Sequence, residues 1–196
     1  MIFGKKLTKA RVILMVVFAI LLFLGVIVYF LFTKDRMPSV SQMLEKPMEV
    51  KQIDFAEVNP QFNFSAKIPI GFETEYLSSL RAINVYNPNL EGSSNIEKSQ
   101  LYITFFKANN FLTLNTVDII GVKKEKILEK DTVLYTISKK IKVPDFLGQP
   151  TWRNFTHKAL DIRLSEESPS IFYSFAYSPQ FSQKEFNNFI DSLNFR

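Results

Sequence analysis

Three hydrophobic patterns follow one another along the chain: an unbroken apolar run, a region of alternation, and a single helical stripe. The run is residues 12–32, VILMVVFAILLFLGVIVYFLF, 21 residues without a charge. As a helix it would measure about 32 Å against a hydrocarbon core of about 30 Å. Valine and isoleucine are poor helix formers in water, but in lipid only a helix pairs every N–H and C=O within one segment. A cleavable signal peptide would carry a shorter run, about 7–15 residues, followed by a small-x-small site. This run instead ends in bulky aromatics, VYFLFTKDRMP. The pattern predicts an uncleaved signal anchor, a transmembrane helix, over residues 12–33. Lys5, Lys6, Lys9 and Arg11 precede it, and only Lys34 and Arg36, beside Asp35, follow closely. The positive-inside rule therefore predicts residues 1–11 as a cytoplasmic basic tail and the C-terminal part outside the cell membrane. Residues 34–53, broken by Pro38 and Pro47, read as a linker.

From residue 54 the pattern alternates. In FNFSAKIP, Phe62, Phe64, Ala66 and Ile68 share one face and Asn63, Ser65 and Lys67 the other, a half-buried strand ended by Pro69. Gly71 permits a turn, after which Phe72, Thr74 and Tyr76 alternate with Glu73 and Glu75. AINVY (82–86) is a short strand stopped by NPN, and EGSSNIEKS (91–99) is a polar loop. LYITFF (101–106) is apolar on both faces and reads as a central strand. TVDIIG and VLYTIS (133–138) read as strands, with strand and turn between them. Residues 123–142 hold seven lysines against Glu125, Glu129 and Asp131. The reading is a solvated hairpin whose charged edge resists pairing with other chains. The sharper alternative is a patch for an anionic polymer or lipid headgroups.

The C-terminal SQKEFNNFIDSLNF is the clearest helix. Ser182 and Glu185 have the spacing of a capping box, and Phe186, Phe189, Ile190 and Leu193 form one apolar stripe. A helix this short does not hold alone in water, so it must pack on a sheet. The expected fold class is α+β: an N-terminal transmembrane helix, then an extracytoplasmic domain (54–196) with an antiparallel sheet against the C-terminal helix.

Composition removes several functions. Of 24 basic and 19 acidic residues, six basic and one acidic fall in residues 1–36, leaving 18 of each in 37–196. The high pI thus belongs to the head of the chain, and a neutral outer domain offers no general attraction to nucleic acid. With no cysteine and one histidine, cysteine-based and multi-histidine metal sites are excluded. No Gly-rich phosphate loop and no Gly-x-Ser-x-Gly elbow is present. Neither a metal nor another cofactor is expected, and no catalytic residue is assigned. Glu73 and Glu75 are expected to be solvated rather than a catalytic pair.

One stretch gathers the rare residues: TWRNFTHKALDIR, 151–163, with the only tryptophan and the only histidine. As a strand it would turn Leu160, Ile162 and Leu164 to the core and Ala159, Asp161 and Arg163 outward. His157 and Asp161 would share the polar face about 13 Å apart, too far for a His–carboxylate pair. It reads as a core strand with a polar outer face. Trp152, Arg153 and His157 remain candidates to line one pocket, and Tyr173 and Tyr177 to line a groove for a peptide or glycan.

The segment ending in IPIGF, the strands that follow, and the ending SPSIFYSFAYSPQFSQKEFNNFIDSLNF resemble the PsbP/Mog1-like domains, over about 140 residues. Phe72 stands where those domains usually carry tryptophan. The layout also resembles uncharacterised single-pass membrane-anchored bacterial proteins with this ending. The resemblance implies extracytoplasmic accessory or binding roles, usually without catalysis, and supplies no catalytic residues. The expected function is a non-enzymatic, membrane-anchored domain binding a protein or envelope partner. An envelope-acting hydrolase and a structural subunit of a membrane complex are the alternatives.

Overall fold

The computed structural model describes residues 48–111 and 115–196, together with Leu22. All but Leu22 and Met48 belong to one compact unit, Glu49–Arg196. The segment expected to cross the membrane, residues 12–33, lies outside the described residues except for Leu22. Among the described residues no helix is long and apolar enough to cross a membrane.

The unit is mostly β. Its elements are β1 (Val50–Asp54), α1 (Phe55–Val58), β2 (Phe64–Pro69), β3 (Glu73–Leu77), β4 (Ala82–Tyr86), β5 (Ser99–Ala108), β6 (Val117–Ile127) and β7 (Lys130–Lys139). A 3-10 turn (Thr151–Asn154), β8 (His157–Arg163), β9 (Ser170–Tyr177), α2 (Gln183–Asp191) and β10 (Asn194–Phe195) complete it. All pairings are antiparallel, in a seven-stranded sheet ordered β3-β4-β5-β9-β8-β7-β6 and a three-stranded sheet ordered β1-β2-β10. β1 takes in Val50–Ile53, which the sequence assigned to the linker: these residues pair with Ala66–Pro69 of β2. Pairing with β2 satisfies the backbone there, a long-range contact that linker composition does not disclose.

The large sheet has two faces, and each is covered over its central strands. On the first, Leu160 and Ile162 of β8 stand beside Phe175 and Tyr173 of β9 and Ile103 and Phe105 of β5. The small sheet and α2 cover this face together, where the sequence expected the helix alone. Phe62, Phe64, Ala66 and Ile68 are all buried, as their alternation demanded. Phe64 meets Phe175 at 5.6 Å, and Phe175 meets Phe189 of α2 at 5.6 Å. α2 begins at the expected capping box: the Glu185 N–H donates to Ser182 Oγ at 3.2 Å, and the Ser182 N–H donates to Glu185 Oε2 at 2.7 Å. Leu193 lies just beyond the helix but is buried with the stripe.

The second face was expected to meet solvent; over β7, β8 and β9 it does not, while Ile119 and Val122 of the edge strand β6 remain exposed. Val133, Tyr135, Ile137, Ala159 and Ala176 form a second core beneath Phe146 and Trp152 of the segment joining β7 to β8. Residues 151–163 are accordingly not one strand. The 3-10 turn at Thr151–Asn154 folds over the sheet before β8 starts at His157. Asp161 and His157, each 3% exposed, are buried under that cover. Strand alternation reports which residues share a face; it does not report what a connecting loop later lays upon that face.

β6 is the sheet's edge beyond β7, and the lysine hairpin forms as expected, with Ile127 paired to Lys130 across the turn. A bulge between Ile119 and Gly121 interrupts the register. Glu73 is exposed, as expected, and Glu75 is half-exposed; both also accept hydrogen bonds. Glu73 Oε2 accepts from the Tyr86 hydroxyl at 2.6 Å, and Glu75 accepts from Asn84 Nδ2 at 2.9 Å and Asn95 Nδ2 at 3.0 Å.

Candidate binding surfaces

The five candidate residues divide between the two faces. Trp152, Arg153 and His157 come together on the second face; Tyr173 and Tyr177 lie on the first.

On the second face the cover is pinned by its polar atoms. Trp152 Nε1 donates to the Ser99 carbonyl at 2.9 Å, and its ring meets the His157 imidazole edge-on at 5.3 Å. The Phe146 N–H donates to Asn154 Oδ1 at 2.9 Å, closing the connecting segment on itself. The Arg153 guanidinium sits 4.8 Å from the Tyr102 ring centroid and donates through Nη1 to Gln149 Oε1 at 2.7 Å. Burial lowers its pKa, against the raising effects of Tyr102 and Asp161.

His157 Nδ1 lies 2.8 Å from the Phe155 carbonyl. A carbonyl can only accept, so Nδ1 carries the proton and Nε2 of the neutral ring is bare. Burial pulls His157 down to about 4; the Phe155 hydrogen bond opposes this and the Arg153 charge adds to it. Burial pushes the Asp161 carboxyl up to about 6, against a Ser174 hydrogen bond and the Arg153 charge. His157 thus gives its proton to a backbone carbonyl, not to Asp161, and the two do not make a catalytic pair. The cluster's chemistry is that of a clasp: a half-buried cation on an aromatic face holding a loop to a sheet. Arg153 Nε and His157 Nε2 are buried without a hydrogen-bond partner, as are Asn84 Oδ1 and Ser99 Oγ.

Tyr173 is a core residue. Its hydroxyl donates to the Gln61 carbonyl and accepts from the Asn63 N–H, both at 2.9 Å, tying the small sheet's entry to β9. Tyr177 stacks on Phe186 at 3.9 Å, and its hydroxyl donates to Gln183 Oε1 at 2.9 Å. His157 and Tyr177 do share the lining of one cavity of about 270 Å³, with Thr136, Lys158, Phe181 and Gln183. Lys158 Nζ also donates to Gln183 Oε1, at 2.8 Å. The described residues lining this cavity include hydroxyls and one ammonium but no carboxylate.

The larger opening, about 460 Å³, is a groove between α2 and the β6–β7 hairpin on the first face. Its floor is apolar, with Ile127, Leu134, Leu160, Phe186 and Ile190. Its rim is polar and carries both signs: Lys123 and Glu125, paired at 2.5 Å, on one side, and Asn187 and Asp191 on the other. Phe186 and Ile190 read as core stripe, and so they are, yet one flank of that stripe opens into the groove. Sequence reasoning missed the groove because nothing local sets β6 beside α2. An apolar slot with a few placed polar groups is the usual form of a recognition site.

No family model matches the chain, and no curated protein matches it. Among solved structures the chain is similar to a protein from Bacteroides thetaiotaomicron, at 16% identity and a TM-score of 0.40, covering 76% of this chain and 49% of that one. The chain therefore spans about half the length of that protein. A likeness so distant identifies no family.

Proposed function

We propose that the chain is a single-pass membrane-anchored protein whose extracytoplasmic domain binds a protein partner without catalysis, and that the groove between α2 and the β6–β7 hairpin receives it. The observation that carries the reading is the groove itself. It pairs an apolar floor able to take one or two partner side chains with a rim offering both charges for orientation. The 21-residue uncharged run supports the anchor. The resemblance in layout to PsbP/Mog1-like domains supports an accessory, binding role. An envelope-acting hydrolase is the second reading; the cavity that holds His157 among hydroxyl groups is the observation in its favour.

The test uses a photo-crosslinking residue at Asn187, on the groove rim, and at Asn95, in the polar loop before β5. Crosslinking is done on the full chain in intact membranes. A protein adduct of one defined mass from position 187, absent from position 95, is the expected result. Equal labelling from both positions, or none from 187, refutes the groove as the site.

A further inference from the structure

The outer side of the second face carries a set of side chains that neither the core nor the groove uses. Ile141, Leu147 and Phe155 belong to the segment that covers this face, and they are 97%, 88% and 63% exposed. Phe146 and Trp152 of the same segment point inward to the second core. The Phe146–Asn154 hydrogen bond ties together the two ends of the segment from which Leu147 and Phe155 project. Ile119 and Val122 of β6, opposite Ile137 and Tyr135, share this side and are exposed as well. Lysines stand beside several of them. Lys124 and Lys126, opposite Val133 and Asp131, stand on the same face of β6, and Lys140 and Lys142 flank Ile141. Of the acids here, Asp145 is paired with Lys139 at 3.3 Å, Asp131 stands opposite Lys126, and Glu166 is paired with Arg163 at 3.5 Å.

We infer that this face is a membrane-contact surface that lays the domain on an anionic bilayer. Projecting apolar side chains beside lysines form the pattern of interfacial insertion: the apolar tips enter the headgroup boundary and the ammonium groups meet lipid phosphates and carboxylates. Chain length adds a second argument, which rests on the anchored reading above. Sixteen residues, 33–48, separate the uncharged run from the described unit. They reach about 55 Å at most, so an anchored domain never leaves the neighbourhood of the bilayer. Contact through the second face also turns the groove on the first face away from the lipid, towards a partner.

The chain has no cysteine, so single-cysteine variants of the full chain can be labelled cleanly. Ile141→Cys, Leu147→Cys and, as a distant exposed control, Glu91→Cys are labelled with an environment-sensitive fluorophore. They are placed in nanodiscs of phosphatidylcholine alone or phosphatidylcholine with phosphatidylserine. The expected result is a blue shift at 141 and 147 but not at 91, larger with phosphatidylserine. It should be lost in Lys140→Glu/Lys142→Glu and reduced by molar salt, which shortens the screening length from about 10 to about 3 Å. Spectra at 141 and 147 that match position 91 in phosphatidylserine discs overturn the proposal. A chain that does not remain in the discs refutes the anchor alone. The same variants on preformed vesicles of these lipids then read the surface, and the absence of a shift there overturns it as well.

Discussion

The Arg153 guanidinium rests on the Tyr102 ring, 4.8 Å from its centroid, and so joins the loop before β8 to the middle of the large sheet. Arg153 is a half-buried charge at the edge of the second core, held there by an aromatic face, Gln149 and the nearby Asp161 carboxylate. Removing one member of such a set leaves the others buried without compensation. Arg153→Met should cost about 2–4 kcal/mol in urea unfolding. It should also shift the emission of Trp152, the lone tryptophan, whose indole is anchored one residue away on Ser99. A variant of wild-type stability with unchanged emission would show that the clasp does not hold the loop.

Asp161 and His157 perturb stability in opposite directions. The folded value of Asp161, about 6, lies above its ordinary 3.8, so its contribution is complete at low pH and is lost as pH rises through that window. The folded value of His157, about 4, lies below its ordinary 6.5, so its contribution is complete above that value and is lost as pH falls towards 4. Across the shared window the folded state holds a proton on Asp161 and the unfolded state holds one on His157, and the two slopes cancel. Asp161→Asn should therefore lose stability relative to wild type as pH is lowered from about 6 to about 4, and His157→Gln should gain it, each by on the order of 2–3 kcal/mol. Urea midpoints across that range check this; parallel curves for the two variants would contradict it.

The hairpin turn offers a gain. Leu128 and Glu129 have φ of 50° and 60° between the paired Ile127 and Lys130, a two-residue turn that favours Asn-Gly. Leu128→Asn with Glu129→Gly should stabilise the domain by about 1 kcal/mol. The thermal midpoint should rise; a fall would mean that the native side chains contribute more than their strain.

Phe189 touches both the large sheet and the small sheet's approach, meeting Phe175 at 5.6 Å and Phe55 at 6.1 Å. Phe189→Ala should cost about 3–5 kcal/mol, and Phe189→Asp should abolish cooperative folding. A soluble Phe189→Asp domain with a sharp unfolding transition would show that α2 is not part of the core.

Orientation across the membrane is tested with cysteines introduced at Gly4 and Glu91. An impermeant maleimide should label position 91 in intact cells, and position 4 only after lysis. The reverse pattern, or equal access to both, would overturn the expected topology.

What could be read from the chain was local. The face shared by Phe62, Phe64, Ala66 and Ile68, the turn at Gly71, the strand AINVY and the box of Ser182 and Glu185 each depend on neighbours a few positions away. There period and capping geometry suffice. The resting place of β9 between β5 and β8 depends on pairings across long stretches of chain, and so does the meeting of β6 with α2 that opens the groove. His157 and Asp161 show the limit most plainly. Alternation put them on one face and separated them too widely for a pair, and both statements hold. That face looked solvent-bound because its side chains are polar. It is buried because Phe146, Trp152 and Arg153 fold back over it. The loop covers Tyr135 and Ala159 and stacks on Tyr102, and in doing so encloses two titratable groups. That arrangement exists only once distant segments have been brought together.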